Sequence, residues 1–275
     1  MQRIKTAAIL LPILIASILI PLLQPLFVLL IAAAMALALL EFWKLAKKRG
    51  MKPDMTAGYL GAAAIFTIFY FNEPSQDALS LLLLLVALVV LTMATLAAAT
   101  FRGAPFDTMI SSTGATLLGV LYIALLGGHL VALRSGFPQK LSAHLLSFFF
   151  LVIMGSDTGA YYVGRTFGKH KLAPKISPGK TWEGVAGGLI AGLLMATLAH
   201  YWFFRELPLK WTLPLAVVMV VLGIVGDLTE SALKRSAGAK DAANILPGHG
   251  GILDRLDSLL FNAPVIYYFA RIYFQ

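Results

Sequence analysis

The sequence predicts an all-α integral membrane protein, a polytopic helical bundle of about nine transmembrane helices with a cytoplasmic N-terminus. Three observations predict it. Mean hydropathy is +0.83 over 275 residues, beyond what a soluble globular chain sustains. Apolar runs of roughly 20 residues, enough to span a hydrocarbon core, recur along the whole chain. The 22 Lys and Arg residues fall unevenly on the two sides of those runs.

The elements follow in order. A basic head at residues 1–6 precedes an apolar run to Leu23 that has no small-residue cleavage site after it. It reads as an uncleaved first span and not as a signal peptide. A second run, Pro25 to Leu45, follows at once and makes a helical hairpin with the first. Further spans are expected near 56–71, 78–100, 110–133, 143–163, 184–204, 212–235 and 257–274. The weakest is 56–71, the shortest; 110–133, diluted by Gly114, Gly119, Gly127 and Gly128, is next. With the N-terminus inside, 17 of the 22 basic residues face the cytoplasm. The polar loops 165–183 and 236–256 then share that face.

Composition narrows the function classes. There is no cysteine, so neither a disulfide framework nor a thiolate metal site is available. The net charge of +9 is spread through short loops, which favours anionic lipids or phosphates and not nucleic acid as partners. The character of the chain shifts near residue 140. Residues 1–140 read as scaffold and lipid-facing wall, and residues 141–275 as the catalytic part.

The stretch from Gly226 to Ser258 is an island of charge in a chain that is 59% hydrophobic and 13% charged. It holds Asp227, Glu230, Asp241, Asp254 and Asp257, five of the 13 acidic residues, interleaved with Lys234, Arg235, Lys240, His249 and Arg255. Asp157 and Asp227 each lie roughly 14 residues into their spans, about 21 Å deep from the outer end. An ionised carboxylate there needs a partner or a cation. A buried ion pair is the plainer reading; a divalent metal is the other. Asp227, Glu230 and Lys234 share one helical face, and Asp254 and Asp257 repeat the i, i+3 spacing. Two such acidic pairs would form an oxygen-rich site suited to Mg²⁺, which takes one or two carboxylates plus substrate phosphates.

Two loops could hold phosphate. Pro247-Gly248-His249-Gly250-Gly251 cannot be helical, and its glycines let backbone N–H groups approach an anion. A plain turn is the alternative, and His249 is either a proton donor or a support for that turn. The loop around 165–183 carries Arg165, Lys169, Lys171, Lys175 and Lys180 against Glu183. Such residues often only fix orientation or meet lipid headgroups. Ser177-Pro178-Gly179-Lys180-Thr181 is no P-loop, because Pro174 stands where the first glycine belongs and no strand is expected before it. A compact turn presenting Lys175, Ser177, Lys180 and Thr181 to a polyphosphate is expected instead.

Residues 231–258, SALKRSAGAKDAANILPGHGGILDRLDS, resemble the signature of the phosphatidate cytidylyltransferase (CDP-diacylglycerol synthase) family. The matching positions are Ser231, Lys234-Arg235, Lys240-Asp241, His249-Gly250-Gly251, Asp254-Arg255 and Asp257. SDTGAYYVGRTFGKHKLAPKISPGKTWEG and GDLTES resemble the bacterial branch, so the motif-bearing match covers roughly 150–262. Ala242 departs from the pattern, where relatives often have Ser, which puts one hydroxyl contact in doubt. The resemblance implies a dimeric multi-pass enzyme of the bacterial inner membrane, its active site facing the cytoplasm. It would make CDP-diacylglycerol and pyrophosphate from CTP and phosphatidic acid in phospholipid biosynthesis. It also implies Mg²⁺, with Asp227 and Asp254 as ligands, and leaves room for a monovalent cation such as K⁺.

The expected site therefore combines Asp227, Asp254, Lys234, Arg235, Lys240, Asp241 and His249 as catalytic candidates. Lys175, Ser177, Lys180, Thr181, Gly248, Gly250, Gly251, Arg255 and Asp157 are the substrate-binding candidates, with Glu230 and Asp257 as further metal candidates. Two other classes stay open. Intramembrane carboxylates also mark transporters, and a CTP-dependent lipid kinase would use similar residues to move the γ-phosphate.

Overall fold

The computed structural model describes residues 2–71, 78–102, 106–239 and 251–275, with side chains from Leu11 onward. Among these residues the chain forms nine helical runs and one small hairpin. Helix α1 (Gln2–Leu19) passes through a 3-10 turn at Pro21–Leu23 into α2 (Gln24–Lys48). Then come α3 (Met55–Phe71) and α4 (Ala78–Phe101). The next run is α5 (Phe106–Gly119), a π-helical turn at Val120–Leu125 and α6 (Leu126–Ser135). Helix α7 (Gln139–Phe167) leads into strands β1 (Lys171–Ala173) and β2 (Ser177–Thr181), followed by α8 (Trp182–Trp202), α9 (Leu209–Ser236) and α10 (Leu253–Phe274).

The helical polytopic prediction holds. Among the described residues six runs are long and apolar enough to cross a membrane, and Met55–Phe71 is a shorter apolar helix. The 165–183 loop differs from expectation. It is not a bare turn but an antiparallel pair, Lys171 opposite Thr181 and Ala173 opposite Ser177. A strand therefore does precede the Ser177–Thr181 stretch, which is itself extended and so is still not a phosphate loop. Hairpin geometry gives the backbone of this loop partners that a membrane-surface loop would otherwise seek from water.

Helix ends follow local chemistry. Thr181 Oγ1 accepts a bond from Gly184 N at 3.1 Å and so caps α8. Lys47 and Lys48 close α2, and Lys234 and Arg235 close α9, each facing the negative end of its helix dipole. Gly238, at φ +65°, ends the α9 turn in the left-handed region that other residues avoid.

One continuous apolar core joins the two halves of the chain, including Phe42, Trp43 and Tyr122 from the first and Phe148, Met219 and Leu260 from the second. The boundary at residue 140 is thus no boundary in packing. Helix α4 is the least buried of the long apolar helices, with Leu79, Leu82, Val89, Val90 and Met93 exposed. Helices α9 and α10 touch closely: a Cβ on Gly226 would lie 2.5 Å from Asp257 O. That near-contact sets the spacing of the acidic seam.

Candidate active site

The acids of α9 and α10 meet across the seam between the helices. Lys234 Nζ bridges Glu230 Oε2 at 2.7 Å and Asp254 Oδ1 at 2.6 Å. One helical turn deeper, Asp227 lies within electrostatic range of Asp257, and both are in range of Asp157 on α7. Lys180 reaches this second cluster from β2, its Nζ 2.7 Å from Asp227 Oδ2. Two clusters result, each a set of carboxylates with one lysine. Asp227 and Asp254 stand in separate clusters, each with its own lysine.

Burial differs along the seam. Glu230 is 1% exposed, and its Oε1 has no donor among the described residues. Asp257 is buried as well, with Oδ1 accepting from Ser258 N at 2.7 Å. Asp157 and Asp227 are more open, which leaves their oxygens reachable from outside the seam.

The hairpin is fastened to the seam. Besides the Lys180 contact, Arg235 Nε donates to Ile176 O at 3.2 Å. The base of the hairpin is tied by Glu183, which accepts from Lys169 N at 3.1 Å and contacts His170 Nδ1 at 2.6 Å. Thr181 is buried as the α8 cap, so its hydroxyl serves the helix end. Ser177 is half-buried in β2, and Lys175 is exposed at the hairpin turn, outside the ion-paired clusters. Arg255 is exposed one residue past Asp254, while Gly251 N donates to Asp254 Oδ2 at 3.1 Å. Lys240, Asp241, Gly248, His249 and Gly250 lie outside the described residues.

A family model described as the cytidylyltransferase family matches residues 1–273, nearly the whole chain. The chain belongs to the cytidylyltransferase family. A phosphatidate cytidylyltransferase of Pseudomonas aeruginosa is 38% identical over 267 residues, covering 96% of this chain and 94% of that protein. One of the same name from Haemophilus influenzae is 46% identical over 129 residues, 46% of this chain and 45% of that protein. Another from Bacillus subtilis is 41% identical over 163 residues, 58% of this chain and 59% of that protein. In these last two matches the chain spans about half the length of its relative, whereas the first runs nearly end to end.

Within this cytidylyltransferase-family chain, two residues beside the seam escape the motif reading. Glu41 of α2 is fully buried, and its Oε1 and Oε2 accept from Ile252 N at 2.9 Å and Leu253 N at 2.8 Å. It thereby satisfies the first amides of α10, whose second residue is Asp254. Its signal was present in the sequence: one acid inside an otherwise apolar span asks for a buried donor. Tyr122 is the other. It sits in the π-helical turn, in electrostatic range of Asp257, Glu230 and Asp227, and its hydroxyl is buried without a partner among the described residues. A π-turn shifts side-chain register and is frequent at functional sites. No spacing in the sequence signals it.

The donor chemistry fits the implied Mg²⁺. Among the described residues Glu230 Oε1 lacks a donor and Asp227 Oδ1 has only the Ser231 hydroxyl at 3.5 Å, so carboxylate oxygens with spare capacity line the seam. Among the described residues no three acids or histidines close round one point.

Proposed function

We propose that this chain is a phosphatidate cytidylyltransferase, transferring CMP from CTP to phosphatidic acid to give CDP-diacylglycerol and pyrophosphate in phospholipid biosynthesis. The observation that carries the reading is the pair of lysine-bridged acid clusters on the α9–α10 seam, fastened to a basic hairpin, in a chain of this family.

In this reading a phosphate oxygen of phosphatidate attacks the α-phosphorus of CTP in line. The bond from that phosphorus to the bridging oxygen of the β-phosphate breaks, and its electron pair leaves with pyrophosphate. A phosphomonoester with a second pKa near 6 is largely a dianion at neutral pH, so no strong general base is needed. What must be overcome is repulsion between two polyanions, by positioning and by charge. Lys180, Lys234 and Arg235 are the described cations set in or beside the seam. Lys175, Ser177 and Arg255 are assigned to substrate phosphates on sequence grounds, and Gly251 N donates to Asp254 Oδ2. Lys240, Asp241, His249 and the turn glycines Gly248 and Gly250 join the site on sequence grounds. Mg²⁺ held by Asp227 and Asp254, with Glu230 and Asp257 behind them, would neutralise phosphate charge and polarise the α-phosphate. A monovalent cation such as K⁺ fits the same acid-rich seam.

The placement follows the same logic. The charge asymmetry supports a cytoplasmic N-terminus, nine crossings of a bacterial inner membrane and a site open to the cytoplasm. CTP would arrive from water and phosphatidate sideways from the inner leaflet. A homodimer belongs to the same proposal.

The test uses purified protein with phosphatidate, Mg²⁺ and CTP labelled at the α- or the γ-phosphate. Label from the α position is expected in lipid, with the γ label leaving in pyrophosphate. Label from the γ position in lipid would make the protein a lipid kinase. No transfer of either by folded protein, with solute uptake in liposomes, would make it a transporter.

A further inference from the structure

A furrow of about 850 Å³ runs between α1, α7 and α8. Its walls are almost wholly apolar and include Leu14, Ile18, Phe150, Met154, Met195 and Phe203. Along α7 it extends from His144 to Gly159, fifteen helical positions and about 22 Å. The outer end is closed by a polar group: Glu206 contacts His144 Nδ1 at 3.3 Å and Lys140 Nζ at 3.0 Å. The inner end is bounded by Thr158 and Gly159, the residues directly after Asp157. Asp157 stands in electrostatic range of Lys180 and Asp227. The inner end of the furrow therefore lies next along α7 to a residue of the deeper acid cluster.

We infer that this furrow seats one acyl chain of the lipid substrate while its phosphate lies at the Lys180–Asp227 end. The inference rests on the proposed reading that the acceptor is a phosphatidate, and adds where that lipid is held. The shape matches an amphiphile: a long apolar trough whose inner end lies one residue along α7 from Asp157. Its length covers most of a hydrocarbon core about 30 Å thick, so one extended chain fits within it. Its volume lies in the range of small-molecule sites, about 300–1,000 Å³.

Filling the furrow should then make the enzyme blind to chain length. Ser147→Phe and Met154→Trp place bulk on furrow-lining residues outside the lysine–acid clusters, and Ser147→Ala is the control. For purified full-length protein, KM for dioleoyl-phosphatidate is expected to rise about tenfold in the filled variants, since each buried CH₂ contributes substantially to lipid affinity. KM for dihexanoyl-phosphatidate, KM for CTP and kcat should stay near wild type. Equal change, or none, for both lipids overturns the assignment. So does loss of a dimer by light scattering, which would give the furrow to a second copy. If wild-type protein transfers CMP to neither lipid, the catalytic reading fails and the furrow is judged by photolabelling. A phosphatidate with a diazirine in its acyl chain should mark Phe150, Leu151 or Met154 and lose that mark in Met154→Trp. Marking elsewhere on the protein rejects the furrow.

Discussion

Glu41 Oε2 accepts a hydrogen bond from Leu253 N at 2.8 Å, across 212 positions of the chain. Through it, a helix of the first half of the chain fixes the start of the helix that carries Asp254 and Asp257. The same helix end reaches α9, because Arg49 Nε donates to Ser236 O. Helix α2 thus grips both arms of the acidic seam.

Replacing Glu41 by Ala orphans two buried amides, an effect of about 1–3 kcal/mol per group. Glu41→Ala should lower the thermal midpoint in detergent and raise the Mg²⁺ concentration needed for half-maximal CMP transfer by about tenfold. Glu41→Gln keeps one carbonyl acceptor and should fall between. An Ala variant with wild-type Mg²⁺ dependence would show that Glu41 supports the fold and leaves Asp254 indifferent.

The Lys180–Asp227 pair links the hairpin to the seam at 2.7 Å. Removing a charged partner of this kind costs about 1.5–3 kcal/mol, or roughly 10- to 100-fold. Lys180→Met should reduce kcat/KM for CTP by that factor, with Lys180→Arg recovering part of it. Steady-state kinetics at saturating lipid decide the matter; an unchanged kcat/KM would remove Lys180 from the site.

Lys234 is the sole described cation bridging Glu230 and Asp254, and its side chain is only 14% exposed. Lys234→Met leaves a carboxylate that is 1% exposed without its partner, and breaking a buried pair this way costs about 3–5 kcal/mol. A large drop in the unfolding midpoint is expected. Adding Glu230→Gln should restore much of that stability while activity stays low. If the double variant were active, Lys234 would matter only as a counter-ion.

Outside the spans, Glu206 is held below the ordinary carboxylate range. Burial by itself would raise it, but a bond to its own backbone amide, Lys140 and His144 together outweigh that. A depressed folded-state value gives stability that is present above the unfolded value and lost as pH falls through the folded one. The side chain is 42% exposed, so the effect stays within about 1 kcal/mol. Wild type should unfold slightly above Glu206→Gln near neutral pH, and the gap should close below about pH 4.5. A gap that widened in acid would contradict the assigned pairing.

The seam itself was legible early. Asp227, Glu230 and Lys234 share a helical face by spacing alone, and intramembrane carboxylates demand partners whatever the fold. Which partner each finds was not legible. Lys180 lies 47 positions before Asp227 in the chain, and no local rule relates them. Only the hairpin, fastened by Arg235 to Ile176 O, brings that lysine to the seam.

Hydropathy and charge placement, which are sums over local composition, determined that the chain is a helical membrane protein and roughly where its helices run. The order of chemical groups in residues 226–258 determined the class of ligand, because acids, lysines and glycines at those spacings suit phosphate and a hard cation. Tertiary structure alone decided that Glu41 and Tyr122 from the first half belong beside the acids of the second. It also divided the acids between two lysines. The reason is physical: in lipid every buried polar group must find a partner, and which partner lies within 3 Å depends on helix packing, which no single stretch of sequence encodes.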